Sequence, residues 1–344
     1  MARKNLIIYN LETDSNSVVL ATAVEWIREL SFHFENVKVF STHTGTFNLP
    51  ENVVVTELGG GTHAKRIHSL YRLLKSTLVV RRRRDWAVFH HMSSKTLAIL
   101  GPIYRVRGVR QVLWYSHNHE PKHLRATYNF ANSIVCPTSN SFPIMTKKVA
   151  AIGHAIPFSE LKLTNNLDRH GIVHVGRLVR VKHIEDLIEE VSRIPKTKTP
   201  KISLVGPVPD EFYKQELIAR MEEKYLEFEV LPPTNYLELR ASLGKFKFCF
   251  SGTPKSVDKA ALEAALSGCF VVSNSYETLD LTGMLDIWER LKIKPPQSLA
   301  DQIIILSALA PGVEESLRDS LIRTARKRNG IEETIERLVA ILRD

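Results

Sequence analysis

The sequence predicts an α/β fold built from two doubly wound, Rossmann-like domains, each a parallel sheet covered by helices. Short β-rich runs alternate with helical patterns along the chain, which is the order typical of parallel sheets. The chain has 344 residues, which is long for a single hydrophobic core. The alternation pauses in the polar stretch 155–170. We therefore expect domains over 1–156 and 157–325 that face a cleft, and a C-terminal helix over 326–344 that can cross back to the first domain.

The first half contains seven strand candidates and two well-marked helices. The strand candidates begin at Leu6, Val37, Val53, Trp86, Gln111, Ser133 and Lys148. A helix between the first two strands has apolar residues at three- and four-residue steps, namely Leu20, Val24, Ile27 and Leu30. This spacing predicts one buried face.

The second helix of this half belongs to a strongly basic segment. Residues 61–125 contain 14 Lys and Arg against two acidic residues, an excess of +12 that exceeds the +10 of the whole chain. Within residues 65–84, one helix side carries Ile67, Leu70, Leu74 and Leu78, and four consecutive arginines follow. This pattern predicts peripheral contact with an anionic membrane surface. The alternative is a solvated helix that covers the sheet, and no nucleic acid is expected because no nucleic-acid-binding module accompanies the charge.

The second half repeats the α/β alternation. Its strand candidates are GIVHVGRL, KISLVGPV, FEVLPP, KFCFSG and FVVSN. The helix after Lys182 carries an apolar stripe that comprises Ile184, Leu187, Ile188, Val191 and Ile194. A last helix begins at Ile331, with its stripe at Ile331, Ile335, Leu338 and Leu342. Both stripes predict helices packed on a core.

Composition excludes several classes of protein. The apolar share of 44% and charged share of 24% are typical of a soluble globular protein. No apolar run reaches the roughly 18 residues of a membrane span, and the N-terminus turns acidic before any signal-peptide pattern. We therefore expect a cytoplasmic protein, with peripheral placement on the inner face of the membrane through its basic segment. Cys136, Cys249 and Cys269 lie in apolar surroundings, which predicts buried thiols rather than a disulfide or zinc framework.

The first candidate site is the loop VGRLVRVKH. Ligands of doubly wound sheets bind outside the carboxyl ends of the strands, and here Arg177 follows a strand directly while Lys182 stands at the start of the next helix. Two cations suit a diphosphate whose charge grows as a sugar leaves, and they would remove the need for a metal ion. The alternative is a surface Arg with a Lys near a helix start, where the helix dipole disfavours it.

The second candidate site is the segment from Ser251 to Gly268. Its turn and helix cap are predicted from Gly252, Thr253, Ser256 and Asp258, which leave backbone N–H groups free for phosphate or sugar oxygens. Glu263 lies further into the helix among apolar neighbours, so its carboxylate needs a partner. Ribose hydroxyls and a neighbouring basic side chain are both open as that partner.

The third candidate site is a group of histidines at strand ends in the first half. His117, His119 and Glu120 follow the strand LWYS. Because no compact set of further ligands accompanies them, we expect no metal. A histidine that hydrogen-bonds a sugar hydroxyl or positions an acceptor is the preferred interpretation, and a loop histidine without a role is the alternative. Comparable positions at strand ends or at the domain boundary are held by His90, His91 and His154.

With these segments in view, the chain resembles family 4 glycosyltransferases, which are retaining, nucleotide-sugar-dependent enzymes with the two-domain GT-B fold. VGRLVRVKHIEDLIEEV matches the family signature at Gly176, Arg177, Leu178 and Lys182, and SVDKAALEAALSGCFVVS is similar to the donor-binding helix. The resemblance implies that Arg177 and Lys182 bind the donor diphosphate and that Glu263 holds the ribose. The donor-binding set it implies is Gly176, Arg177, Lys182, Ser256, Val257, Asp258 and Glu263. LWYSHNHE resembles a bacterial branch in which the cleft histidine corresponds to His117, with His119 beside it.

Two positions depart from the family pattern. The family carries paired glutamates, and the position of the first one holds Lys255. Asp258 and Lys259 are the candidates to replace its contact with the sugar ring. The glycine-rich loop after the first strand is replaced by LETDSNSVV, in which Asp14, Ser15 and Asn16 supply the turn and Asn16 is a candidate cleft residue.

The resemblance therefore implies a glycosyltransferase of cell-envelope polysaccharide biosynthesis. It would move a sugar from a UDP- or GDP-sugar to a glycan or lipid-linked acceptor, with retention and without a metal or other cofactor. The catalytic groups would be His117, Arg177 and Lys182, and the leaving phosphate is the expected proton acceptor. Two alternatives remain open: a nucleotide-sugar epimerase of the same architecture, and a catalytically degenerate sugar-nucleotide-binding subunit, which Lys255 keeps in view.

Overall fold

The computed structural model describes residues 3–17, 20–59, 63–80, 82–116, 120–157, 169–232, 236–254 and 257–344. The chain divides into two units, one of residues 1–157 together with 331–344 and one of residues 158–330. Among the described residues, the first unit contains a seven-stranded sheet and the second a five-stranded sheet. All strand pairs in both sheets are parallel, which confirms the predicted fold class.

The first unit contains every strand that the sequence predicts for it. The strands are β1 (Asn5–Thr13), β2 (Asn36–Thr44), β3 (Val53–Glu57), β4 (Trp86–His91), β5 (Arg110–Trp114), β6 (Ser133–Cys136) and β7 (Val149–Ala151). The helices are α1 (Thr22–Ser31), α2 (His63–Ser76), α3 (Ser94–Val106) and α4 (Lys122–Thr127), together with the C-terminal helix (Ile331–Arg343). The strand order is β3-β2-β1-β4-β5-β6-β7.

The C-terminal helix crosses back to the first unit, as expected. Its predicted stripe is buried in a core that also contains residues of α1 and the central strands, including Ile27 and Phe89. The backbone N–H of Ile331 donates to the carbonyl oxygen of Ile156 over 3.0 Å, which joins the start of this helix to the end of the first segment of the unit.

The second unit repeats the same design. Its strands are β8 (His170–Val175), β9 (Ile202–Val205), β10 (Phe228–Leu231), β11 (Phe246–Phe250) and β12 (Phe270–Val272). Its helices are α5 (Ile184–Ser192), α6 (Glu211–Glu223), α7 (Tyr236–Leu243), α8 (Lys259–Leu266), α9 (Tyr276–Thr282), α10 (Met284–Arg290), α11 (Leu299–Ser307) and α12 (Pro311–Asn329). The predicted stripe after Lys182 is fully buried, so this helix is confirmed.

In each sheet the strand order reverses at one place. In the first sheet the reversal lies between β1 and β4, and in the second, ordered β10-β9-β8-β11-β12, it lies between β8 and β11. Loops that leave the carboxyl ends of two such strands run in opposite directions and open a crevice for a ligand. Ligand-binding residues are therefore expected in the loops after β8 and β11, and in the loops after β1 and β4.

Two further expectations can be compared with the described part of the chain. The three cysteines are buried and free, as predicted. None of the helices among the described residues combines the length and apolar content needed to cross a bilayer.

Candidate functional site

The loop after β8 is held in an unusual backbone path. Gly176 has a φ of +150°, a value that residues with a side chain rarely adopt. Leu178 is fully buried and its N–H donates to the carbonyl oxygen of Pro207 over 3.0 Å. A short 3₁₀ turn over Arg180–Lys182 then leads to His183, whose φ of +49° starts α5. The loop is thus anchored at Leu178, while Arg177 on one side of the anchor stays exposed.

Glycines let three loops at the carboxyl edge of the second sheet pack backbone to backbone. A Cβ added to Gly206 would lie 2.2 Å from the carbonyl oxygen of Gly176, and one added to Gly252 would lie 2.4 Å from the carbonyl oxygen of Lys182. No side chain fits at either place. The loop after β8 is therefore held between the loops after β9 and β11.

Gly206→Ala is expected to destabilise the second unit by about 2–4 kcal/mol, because the methyl group clashes with backbone and the φ of +144° is strained for alanine. Urea unfolding measures this change. Gly312→Ala is the matched control, since a Cβ there meets nothing within 4 Å and alanine favours a helix. Equal stability of Gly206→Ala and the wild type would show that the loops do not need this close approach.

Lys182 is the centre of a polar network across the strand reversal. Its Nζ donates to Oδ1 of Asp258 and, over 3.1 Å, to Oγ1 of Thr253. The other carboxylate oxygen of Asp258 accepts from Thr253 over 2.8 Å and from Ser251 over 3.1 Å. The Lys182 and Asp258 side chains are each only 15% exposed. An ammonium has three donors, so one N–H of Lys182 has no acceptor among the described residues and can serve a ligand.

This network determines what the Asp258 side chain does at the start of α8. Asp258 precedes α8, but its side chain makes no capping hydrogen bond, because both carboxylate oxygens are taken by Lys182, Thr253 and Ser251. Asp258 therefore holds the predicted N-cap position, but its side chain does not cap the helix. Val257 is buried, and Lys255 and Ser256 lie outside the described residues.

The two predicted cations differ in their surroundings. The charge of Lys182 is offset by Asp258, whereas Arg177 is exposed and makes no hydrogen bond or ion pair with any described residue. Arg180, in the same loop, pairs with Glu216 over 2.7 Å and lies over the Tyr213 ring. Arg177 is thus the cation of this loop whose charge stays uncompensated among the described residues.

Glu263 has one of the two partners that the sequence left open. Its side chain is 4% exposed, and the Nζ of Lys259, one helical turn earlier, lies 3.4 Å from its carboxylate. The neighbouring basic side chain is therefore present. The role of Glu263 toward a ribose stays a prediction.

His174 was not singled out from the sequence, yet it lies directly beneath this loop. It is the next-to-last residue of β8, is fully buried, and neither ring nitrogen makes a hydrogen bond with a described residue. Its Nε2 lies 3.6 Å from the position of a Cβ on Gly176. Burial lowers the pKa of His174 to about 4, so the ring is neutral at physiological pH. The sequence feature that could have identified His174 is a histidine inside an otherwise apolar strand.

The first sheet also carries a polar contact at its strand reversal. His91, at the end of β4, contacts Asn10 of β1, with 3.2 Å between Nδ1 and Oδ1. Its ring stacks on Trp26 with centroids 4.8 Å apart, and burial lowers the pKa of His91 to about 4. Asn10 was missed from the sequence because it continues an apolar strand.

The other residues that the sequence predicts for a site in the first unit are not grouped with Asn10 and His91 among the described residues. His154 is half-buried against the edge of Trp114, and Asn16 is exposed in the turn after β1, where its N–H donates to the Asp14 carboxylate over 3.0 Å. This turn forms at Asp14, Ser15 and Asn16, as predicted. His117 and His119 lie outside the described residues.

The expectation that His90 lies at a cleft-facing loop position is wrong. His90 is fully buried on the opposite side of β4, because successive strand residues alternate between faces. Its ring nitrogens contact Thr96 over 2.8 Å and Gln111 over 3.3 Å. It belongs to the core of the unit. Within the described ranges, no three His, Cys, Asp or Glu side chains are grouped as metal ligands.

The fold of the chain is the GT-B fold, which many nucleotide-sugar-dependent glycosyltransferases adopt. No protein-family model and no curated protein sequence matches the chain. Among solved structures, HepE of Anabaena in complex with UDP and glucose is similar, with a TM-score of 0.70, 13% identity and 99% of each chain covered. A glycosyltransferase from Rickettsia africae gives 0.69, 12% and 98% of each chain. The lipopolysaccharide outer core galactosyltransferase WaaB gives 0.63 and 12%, over 98% of this chain and 99% of its own.

Proposed function

We propose that the protein is a glycosyltransferase that moves a sugar from a nucleotide-sugar donor to a glycan or lipid-linked acceptor. The observation that carries the proposal is the loop after β8, in which an Arg177 that no described residue pairs with and an anchored Lys182 follow a strand at the reversal of the sheet. The GT-B fold is consistent with it, and the similar protein HepE has been solved with UDP and with UDP-glucose.

The two predicted cations of the loop have different roles in this proposal. Arg177 supplies the net positive charge that attracts the donor diphosphate. Lys182 donates its remaining N–H to the same group, and its two bonds to Asp258 and Thr253 hold the ammonium in place before the ligand arrives. Preorganised donors stabilise the charge that develops on a leaving diphosphate without reorganising during the reaction. We propose that this pair makes a metal ion unnecessary, and that Glu263 holds the ribose.

The transfer itself is proposed to retain the configuration of the sugar. The leaving phosphate accepts the proton of the acceptor hydroxyl, and His117 orients the sugar. We assign the donor to the UDP- or GDP-sugars. Because WaaB is described as a lipopolysaccharide outer core enzyme, we propose a role in cell-envelope polysaccharide synthesis.

Binding of a nucleotide sugar is expected to raise the melting temperature of the protein. A panel of UDP, GDP, ADP and their sugars measures this in a thermal-shift assay, since a ligand at 100 times its Kd stabilises the fold by about 2.7 kcal/mol. Arg177→Ala should abolish the shift. Arg180→Ala should retain it, because Arg180 is engaged by Glu216 and Tyr213.

Three outcomes would contradict the proposal. Equal shifts for Arg177→Ala and the wild type would remove Arg177 from the donor site. Incubation of a shifting nucleotide sugar without an acceptor should give slow hydrolysis at most, so rapid release of a sugar of changed configuration would identify an epimerase instead. Binding without any transfer to membrane or glycan acceptors would identify a sugar-nucleotide-binding subunit.

A further inference from the structure

Helix α2 and the 3₁₀ turn that follows it expose an unusual row of large apolar side chains. Their exposed fractions are 67% for Ile67, 43% for Leu70, 60% for Tyr71, 40% for Leu74 and 71% for Leu78. Neighbours on a helix surface lie three and four residues apart, so these side chains form one continuous outward stripe, called here the α2 apolar face.

The α2 apolar face points away from the sheet. The residues of α2 that contact the interior lie on the other side of the helix, where Leu73 and Ser76 are 6% and 3% exposed. This inner side covers the sheet, as in the alternative interpretation of a solvated helix, with Leu73 in the core, while the stripe carries the exposed residues. A contiguous exposed apolar stripe commonly marks an interaction surface.

A cationic groove adjoins this face. It has a volume of about 970 Å³ and lies between α2, the 3₁₀ turn and the edge strands of the sheet. Three cations, Lys38, Arg72 and Lys75, line it against one carboxylate, Glu57, together with the apolar residues Phe40 and Trp86. Lys38 and Lys75 make no ion pair with any described residue.

The groove and the α2 apolar face meet at Leu78, which belongs to both. Exposed arginines follow at 82–84, so cations border the apolar stripe on the groove side and at its end. Apolar side chains between cations match the boundary between the acyl chains and the anionic headgroups of a bilayer.

We propose that the α2 apolar face lies in the surface of an anionic phospholipid bilayer and that the groove takes a lipid headgroup phosphate at Lys38, Arg72 and Lys75. The exposed stripe favours a bilayer over a soluble polyanion, because a polyanion in water would leave the apolar side chains exposed. This surface is independent of the proposed donor site, since its binding to lipid requires no nucleotide sugar.

Vesicle co-sedimentation of the full chain tests the proposal. The wild type should bind vesicles that contain phosphatidylglycerol and should bind pure phosphatidylcholine only weakly. The double variant Leu70→Ser/Leu74→Ser should lower the partition coefficient at least about tenfold, and Lys38→Glu/Lys75→Glu should lower it about tenfold or more on anionic vesicles.

Two matched controls separate this surface from general apolar or charge effects. Phe32→Ser removes an apolar side chain that is 68% exposed at the end of α1, and Lys294→Glu reverses an exposed charge in the second unit. Both should bind vesicles like the wild type, and circular dichroism should show that all variants stay folded. Equal binding of the Leu70→Ser/Leu74→Ser variant and the wild type, or binding to heparin without binding to anionic vesicles, would overturn the proposal.

Discussion

Lys182→Ala is expected to lower kcat/KM for sugar transfer by about 10²–10³-fold. The ammonium donates to the leaving diphosphate where charge develops, and removing one such preorganised donor costs about 2.7–4 kcal/mol of transition-state stabilisation. Initial rates with the donor identified by the thermal-shift panel measure the effect. Lys182→Arg keeps the charge but changes the geometry of the donors, so it should recover only part of the activity.

The same substitution also affects stability, because it leaves the Asp258 carboxylate, 15% exposed, without its cation. We expect a loss of about 1–3 kcal/mol from this source. The double variant Lys182→Ala/Asp258→Asn removes both charges and should regain stability but not activity. Recovery of activity in the double variant would show that Lys182 serves only to neutralise Asp258.

Strand positions were predictable because buried parallel strands appear in the sequence as short β-rich apolar runs. Helix α5 was predictable from its stripe. Helices α3 and α12 were not predicted from the sequence, and the reason differs between the two. Gly101 and Pro102, both unfavourable in a helix interior, lie inside α3, and α12 buries polar residues such as Arg318, which lies over the Phe270 ring. Long-range contacts of this kind leave no periodic pattern.

The candidate site was predictable only in part. Arg177 and Lys182 share one short loop, so their proximity follows from the sequence. The pairing of Lys182 with Asp258 joins residues 76 positions apart and depends on β8 lying next to β11. The contact between Asn10 and His91 likewise depends on β1 lying next to β4. Sheet order, which the sequence does not encode locally, assembles both contacts.

Lowering the pH from 7.5 to 5 is expected to destabilise the fold by several kcal/mol through buried histidines. Burial lowers the pKa values of His90, His91 and His174 from 6.5 to about 4. Below pH 6.5 the unfolded chain therefore takes up protons that the folded chain does not, so stability falls as the pH drops from 6.5 toward 4. Each histidine contributes a loss of about 2 kcal/mol at pH 5.

His174→Phe isolates one of these contributions, and urea unfolding at pH 7.5 and 5 measures it. Because neither ring nitrogen of His174 has a hydrogen-bond partner among the described residues and the ring lies beside Phe250, phenylalanine should be tolerated at pH 7.5. It should reduce the acid-induced loss by about 2 kcal/mol, whereas His68→Gln, at an exposed position, should leave that loss unchanged. If His174→Phe lost as much stability as the wild type between the two pH values, His174 would have to be protonated in the folded chain, and a cation would then lie directly beneath Gly176 in the proposed diphosphate loop.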